Sequence, residues 1–414
     1  MTFTSSPLAG TSRFSMPYKG MAPFLRMSIA GVDMRPLAQA MLAQAGAEPD
    51  NAALWLTLST LMLAIGQRDS GLAIQGQALS MARTYRIPAA SQPPRLTVLV
   101  LMTDGELSAN TPLECLLENT DIELIYYYLS PQAWFAEEIP EHDVLLVGMG
   151  ESDATQVMLQ ALPEILAQWP RPVLNHASHI PKVGREYASA MLQGVPGLLM
   201  PPTWRTDRAT LQQVAAGTAA ALACWADCDF PLIVRPVGSH GGHGLARIAD
   251  TAALAAYLAA EGGDDFYVSR FVDYSGADGQ FRKARVALVS GQAFACHMAV
   301  SSHWMVHYLN AGMYDDADKR AQELAFMDRF DDFVARHRVA LDEIASRTGL
   351  DYVCIDCAET RDGELLVFEI DHAMVVHAMD EEHMFPYKQI HMAKVRNAFR
   401  DLLLRTQAAG QAAA

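Results

Sequence analysis

The chain changes its hydrophobic period along its length. Between Met34 and Tyr85, in DNAALWLTLSTLMLAIGQRDSGLAIQGQALSMARTY, apolar residues recur at three- and four-residue spacing. Trp55, Leu58, Leu61 and Met62 form one stripe, and Leu72, Ile74, Ala78 and Leu79 much of a facing one. This predicts two antiparallel helices broken at Gly66-Gln67-Arg68-Asp69. Residues 1 to about 25 have turn composition and read as a loose leader. After the linker PAASQPPR the period shifts: LTVLVLM, IELIYYYL and DVLLVGMG are continuous apolar runs of buried-strand type. PLECLLEN and ATQVMLQALPEILAQW are helix candidates, and PVLN a further short strand, so a small, mostly parallel sheet is expected over about 91–200.

From Pro201 onward the texture changes again. An Ala-rich helix over about 208–226 leads to the strand FPLIVRPV, a glycine loop and LARI. Asp250 is a helix N-cap for TAALAAYLAA, which stops at Gly262-Gly263. FYVSRFVDY is a strand, and KARVALVSGQAFACHMAV a pair of strands turned at Ser290-Gly291. A long amphipathic helix over about 318–347 ends at Gly349, before the strands DYVCIDCAE and ELLVFEID, turned through Arg361-Asp362-Gly363. The last helix, about 387–407, carries Lys388, Lys394, Arg396 and Arg400 on a face read as solvated. The fold class expected is α/β (α+β): a helical segment over 1–90, a small α/β domain over 91–200 and a larger domain over 201–414.

Composition narrows the function. With 414 residues, 51% of them hydrophobic, the chain fills several cores. Its 31 Lys+Arg against 47 Asp+Glu give a formal charge of −16, which repels a polyphosphate backbone, so nucleic acid is not an expected partner. No apolar run has the length of a membrane span and the N-terminus lacks a signal-peptide core, so the expectation is a cytoplasmic protein without membrane partners. Six cysteines read as reduced thiols. Cys354 and Cys357 have CxxC spacing, but on a strand an offset of three points them to opposite faces.

Two features carry candidate chemistry. VRPVGSHGGHG (234–244) fits neither GxxxxGK[ST] nor GxGxxG. It is a strand ending in Arg235 and feeding a flexible turn whose backbone N–H groups can close over an anion, with a structural hairpin as the alternative. Downstream, alternation and a hairpin bring Asp356, Glu369 and Asp371 together. Three carboxylates at the ends of apolar strands need a cation, and Mg²⁺ with nucleotide phosphates suits such hard donors; simple exposure of the strand ends is the alternative. His240, His243, His303, His307, His372 and His377 fall in or beside this region. HWMVH has the i,i+4 spacing of a zinc helix, but no third ligand completes it. His303, His307 and His372 are the candidates for substrate contact. A GxSxG nucleophile elbow is absent, since position 237 is valine.

The order PLIVRP with its glycine loop, YVSRFV, KARVALVSGQ, LNAGM and TGLDYVCIDCAETRDGELLVFEID resembles the ATP-grasp superfamily of carboxylate ligases. The preceding RPVLNHASHIPKVGREYASAMLQGVPGLLMPPTWR resembles the domain join of glutathione-synthetase-like and ribosomal-protein-S6-modification-like members. The helical N-terminus, with Trp55, Gly66, Ala73 and Ala78, resembles a tetratricopeptide repeat, though a plain helical bundle accounts for it equally.

The superfamily resemblance implies ATP between two antiparallel sheets, its phosphates under Gly238, Ser239, Gly241, Gly242 and Gly244 and beside Arg235, and its adenine at the hinge Ser269, Arg270, Phe271 and Val272. Asp356, Glu369 and Asp371 would hold Mg²⁺, and Arg285 would steady the γ-phosphate or an acyl phosphate, with Asn310 and Gly312 near a further phosphate-side motif. The chain departs from the family pattern at Arg235 for Lys, at Ser269 and Arg270 for an acidic hinge residue, and at Asp371 for Asn. The implied activity is ATP-dependent joining of a carboxylate to an amine through an acyl phosphate. The alternatives are a non-catalytic nucleotide-binding scaffold recruiting a peptide or protein, and a phosphotransferase. A peptide substrate and a homodimer stay open.

Overall fold

A computed structural model describes residues 18–218, 225–226, 228–239 and 241–413. It is an α/β protein built on three sheets. The first contains β1 (Thr84–Ile87), β2 (Leu96–Thr103), β3 (Ile122–Leu129), β4 (Val144–Val147) and β5 (Val173–Leu174) in the order β1-β3-β2-β4-β5. β2 to β5 pair parallel, as their continuous apolar runs require, while β1 adds an antiparallel edge that the sequence pattern did not announce. β6 (Leu198–Leu199) leaves this region to become the edge of the third sheet.

The second sheet has the order β7-β10-β8-β9, from β7 (Trp204–Asp207), β8 (Leu232–Pro236), β9 (Ala246–Ile248) and β10 (Asp265–Arg270). Its pairs are antiparallel, and helices 208–215 and 251–260 cover it with a core of its own around Leu211, Val234, Leu254 and Phe266. The third sheet has the order β12-β11-β13-β14-β6, from β11 (Phe281–Val289), β12 (Gln292–Ser301), β13 (Tyr352–Glu359) and β14 (Leu365–Asp371). It shares one continuous core with the first sheet, so these two layers form the body against which the second sheet stands.

The turns follow the sequence signals. Asp250 accepts from the Ala253 N–H at 2.8 Å, and Ser290 and Gly291 both take positive φ, as a tight hairpin with right-handed strand twist needs.

Several expectations need correction. The leader is not loose from Tyr18 onward: Tyr18, Met21, Ala22 and Phe24 are buried and Ala22–Ile29 is helical, while residues 1–17 lie outside the described residues. The Ala-rich helix is described over Arg208–Ala215, much of its remainder lying outside the described residues.

The long helix over 318–347 is three helices, 317–328, 330–336 and 338–348. The breaks at Arg329 and His337 gather the rings of Phe326, Phe330, Phe333 and His337 into one cluster. His303–His307 is a bent loop rather than helix, so its i,i+4 spacing carries no helical meaning. The last helix runs from Pro386 to Ala413, and its basic face is not simply solvated: Lys388 is buried, and Arg400 pairs with Asp121.

The helices Ala52–Ala64 and Arg68–Met81 form the expected pair. They bury Leu56, Ala78 and Leu79 in the core of the first sheet, while Leu61 packs with Phe24, Met34 and Ala38 of the two preceding helices. No helix among the described residues is long and apolar enough to cross a membrane.

Candidate active site

A cavity of about 530 Å³ lies between the second and third sheets. Its size and mixed lining suit a small-molecule site. Four segments build it. The hinge Ser269–Val272 spans the end of β10 and the residues after it, β8 brings Arg235 and the loop after it Gly241 and Gly242, β11 contributes Lys283 and Arg285, and β13 with β14 contribute Asp356, Glu369 and Asp371.

Three strands of the third sheet, β11, β13 and β14, place these charges by register. Arg285 stands opposite Asp356 across β11 and β13, and Asp356 opposite Glu369 across β13 and β14. The same register carries on to set Asp371 opposite Cys354, while a bulge between Asp356 and Cys357 shifts the pairing toward the turn, where Cys357 faces Val367. The Arg285 guanidinium grips Asp356 with Nε at 2.8 Å and Nη2 at 3.2 Å, and Lys283 Nζ reaches the same carboxylate at 2.8 Å. Burial works to raise the Asp356 carboxyl, but Arg285 and Lys283 outweigh it and hold the group well below the usual carboxylate range. Glu369 is likewise held down against its burial, chiefly by Arg185, whose Nη2 is 2.5 Å from Glu369 Oε1.

The glycine loop forms the hairpin that was the alternative reading, joining β8 to β9, and part of it lies beside the cavity. Gly238, Gly241, Gly242 and Gly244 all take positive φ. At Gly242 a Cβ would stand 2.7 Å from His307 Nε2, so the loop after β12 closes directly onto the glycine loop there. Arg235 is buried, donates through Nε to Ser239 Oγ at 3.2 Å and through its guanidinium to the Ser239 carbonyl, and thereby pins the loop at its base. Burial, reinforced by the neighbouring Arg185, pulls the Arg235 guanidinium down to about 10. It stays charged at neutral pH and borders the cavity.

Not every expected residue reaches the cavity. Gly238, Ser239 and Gly244 lie in the hairpin but not in the cavity lining, and His240 lies outside the described residues. Asn310 does not border the cavity; its side-chain oxygen accepts from the His307 N–H at 3.2 Å and so fixes that histidine's loop. His303 points away, exposed, with Nδ1 accepting from the Met305 N–H. His372 is wholly buried against the first sheet: its Nε2 is 3.1 Å from the Met149 carbonyl, its Nδ1 lacks a hydrogen bond, and burial pulls it down to about 4. Of the three candidate histidines only His307 borders the cavity, and burial together with Lys283 lowers its pKa, so it is neutral at pH 7.

Lys283, Arg185, Tyr267 and Trp304 also line the site and were not anticipated. Lys283 was recoverable, since it stands two residues from Arg285 on one strand and therefore on the same face. Arg185 carries no local signal; it starts the helix Arg185–Met191 and meets Glu369 from 184 residues away in sequence.

The donor chemistry of Asp356, Glu369 and Asp371 fits a hard divalent cation. Among the described residues, however, no group of three or more His, Cys, Asp or Glu stands as a ready-made metal cage. Asp356 is taken up by Lys283 and Arg285, and Glu369 by Arg185. Such a set matches Mg²⁺ held by one or two carboxylates together with substrate phosphates.

No family model matches the chain. Its structure is similar to those of several solved proteins. One is the VanG D-Ala:D-Ser ligase of Enterococcus faecalis, at 13% identity over 74% of this chain and 99% of that one, with a TM-score of 0.44. Another is an ATP-grasp RimK domain protein of Sphaerobacter thermophilus, at 15% identity over 74% and 99%, with a TM-score of 0.43. A third is the D-alanine–D-alanine ligase of Bacillus anthracis complexed with ATP, at 13% identity over 76% and 99%, with a TM-score of 0.43. At these identities the likeness is one of chain architecture, and the substrates of those ligases are their own.

Proposed function

We propose that the chain is an ATP-dependent ligase that activates a carboxylate as an acyl phosphate and joins it to an amine, releasing ADP and phosphate. The observation that carries this reading is the charge arrangement of one cavity. Arg185, Arg235, Lys283 and Arg285 converge there with Asp356, Glu369 and Asp371, next to a hinge and under a glycine hairpin. The four cations match a triphosphate, and the hinge, with Phe271 and Val272, offers backbone groups and apolar surface for an adenine. The sequence resemblance to carboxylate ligases points the same way. The division into 1–90, 91–200 and 201–414 belongs to this reading.

The chain's own residues do electrostatic and positioning work. Arg235 and Lys283 would hold the phosphates, and Arg285, fixed by Asp356, would meet the negative charge that grows on the transferring phosphoryl group and on the substrate carboxylate. When bound, Mg²⁺ would supply charge neutralisation at the phosphates, held by one or two of the carboxylates Asp356, Glu369 and Asp371. The amine then displaces phosphate from the acyl phosphate, its proton leaving to water or a neutral base. His307, neutral at pH 7 and bordering the cavity, is the base best placed. Holding the reactants in line is the larger part of the catalysis, so no covalent enzyme intermediate is required.

The test is ADP release in the presence of ATP, Mg²⁺ and pairs of carboxylates and amines. A ligase requires both organic substrates for full turnover, liberates inorganic phosphate, and leaves no phosphate on the product. Phosphate retained on the product would replace this reading with phosphotransfer.

A further inference from the structure

The cavity continues past its charged groups. β14 runs along its side from Phe368, near the hinge end, to Asp371, roughly 10 Å further at the strand's rise per residue, and then bends into Ala373, Met374 and Val375. Arg285 marks the boundary, since its Nη1 donates to the Val375 carbonyl at 2.9 Å while Nε and Nη2 hold Asp356. Beyond it, Met21, Leu107, Ser108, Ala373, Met374 and Val375 line the cavity, and none of them is charged. Met21, Leu107 and Val375 also pack together in one apolar cluster with Met379 and Cys115.

Met21 is fixed in this wall by an unusual local arrangement. Its N–H donates to Glu114 Oε1 at 2.8 Å, and Tyr126 Oη donates to the other carboxylate oxygen. The approach is open only because residue 20 is glycine: its φ is +64°, and a Cβ there would stand 2.8 Å from Glu114 Cγ. Tyr18 anchors the same segment through its hydroxyl, 2.8 Å from Thr60 Oγ1.

We propose that this chamber receives the body of the carboxylate substrate, and that the substrate is a small carboxylic acid whose body is apolar and carries no second anionic or cationic side group. This rests on the ligase reading given above. The acid's carboxylate faces Arg285, whose guanidinium has five N–H donors, three of them committed to Asp356 and Val375 and two remaining. The apolar body replaces water against methionine and aliphatic side chains, which adapt to different shapes. A charged side group would lose its hydration there, with no charged residue among Met21, Leu107, Ser108, Ala373, Met374 and Val375 to receive it. The segment from Tyr18 to Ile29 thereby contributes Met21 to the substrate site.

The shared chemistry is met by a simple aliphatic acid or by an amino acid with an aliphatic or thioether side chain. The experiment is saturation-transfer NMR of hexanoate, leucine, glutamate and lysine with the full chain, Mg²⁺ and a non-hydrolysable ATP analogue. Hexanoate or leucine should bind at least about tenfold more tightly than glutamate or lysine, and which of the two binds separates the two sources. Met21→Lys should weaken that binding about tenfold while leaving the affinity for the ATP analogue within about twofold. Met374→Lys asks the same of another wall residue, should the first variant fail to fold. Equal or tighter binding of glutamate or lysine, no binding of either apolar acid, or unchanged binding in both variants would overturn the proposal. An apolar acid that binds but supports no ADP release with ATP, Mg²⁺ and a panel of amines keeps the chamber and removes the ligase reading.

Discussion

Arg285 and Asp356 face each other in register across β11 and β13, joined by two charge-assisted hydrogen bonds of 2.8 and 3.2 Å, with Lys283 Nζ at 2.8 Å completing the group. Asp356 is almost fully buried, so its partners rather than water keep it ionised. Removing it leaves two cations without their anion. Asp356→Ala is therefore expected to lower stability by about 3–5 kcal/mol and to abolish ADP formation. Urea unfolding together with an ADP assay checks both, and a variant of wild-type stability would contradict the buried-pair account.

The glycine hairpin allows a paired comparison. Gly242 and Gly238 both take positive φ, but only at Gly242 would a new Cβ strike a neighbour, His307. Gly238→Ala should cost about 1 kcal/mol from backbone strain alone. Gly242→Ala should cost more and also raise the KM for ATP several-fold, and the added change His307→Ala should return part of that loss. Thermal unfolding and ATP saturation curves of the three variants decide it.

The buried His372 sets a pH dependence. Its folded pKa, about 4, lies below the ordinary 6.5, so as pH falls below 6.5 the unfolded chain takes up a proton that the folded chain refuses. Stability from this group is full above 6.5 and is lost as pH falls toward 4. Between pH 7 and 5 it amounts to about 2 kcal/mol. Depressed carboxylates such as Asp356 act in a separate window, losing their contribution only below the ordinary carboxylate range. Urea unfolding of wild type and His372→Asn at pH 7 and pH 5 should show a smaller acid loss in the variant.

Lys388 lies between Glu323 and Asp380, with Nζ at 3.4 and 3.0 Å, and over the ring of Tyr308. Truncation leaves two buried carboxylates facing each other. Lys388→Ala should destabilise by about 3–5 kcal/mol, whereas exposed Lys394→Ala on the same helix should stay within about 0.5 kcal/mol. Chemical denaturation of the two variants is the check.

Lys388 also shows where sequence reading stops. Helical periodicity placed it on a basic face with Lys394 and Arg396, but the carboxylates that bury it come from elements up to 65 residues away. The parts of the site that were legible depend on local rules. Alternation on β13 and β14 placed Asp356 beside Glu369, and glycine conformational freedom marked the hairpin. The bulge after Asp356 and the approach of Arg185 to Glu369 are products of tertiary packing and left no local pattern. The three candidate histidines differ for the same reason. Only the fold decides that His307 meets Gly242 while His372 turns into the first sheet.

Calorimetric titration of Mg-ATP into the wild type and into Glu369→Ala tests the central claim most directly. The cavity described here predicts metal-dependent binding to the wild type and at least tenfold weaker binding to the variant, which loses a carboxylate donor and leaves Arg185 unpaired. Equal affinity in the two proteins, or no binding to either, would contradict it.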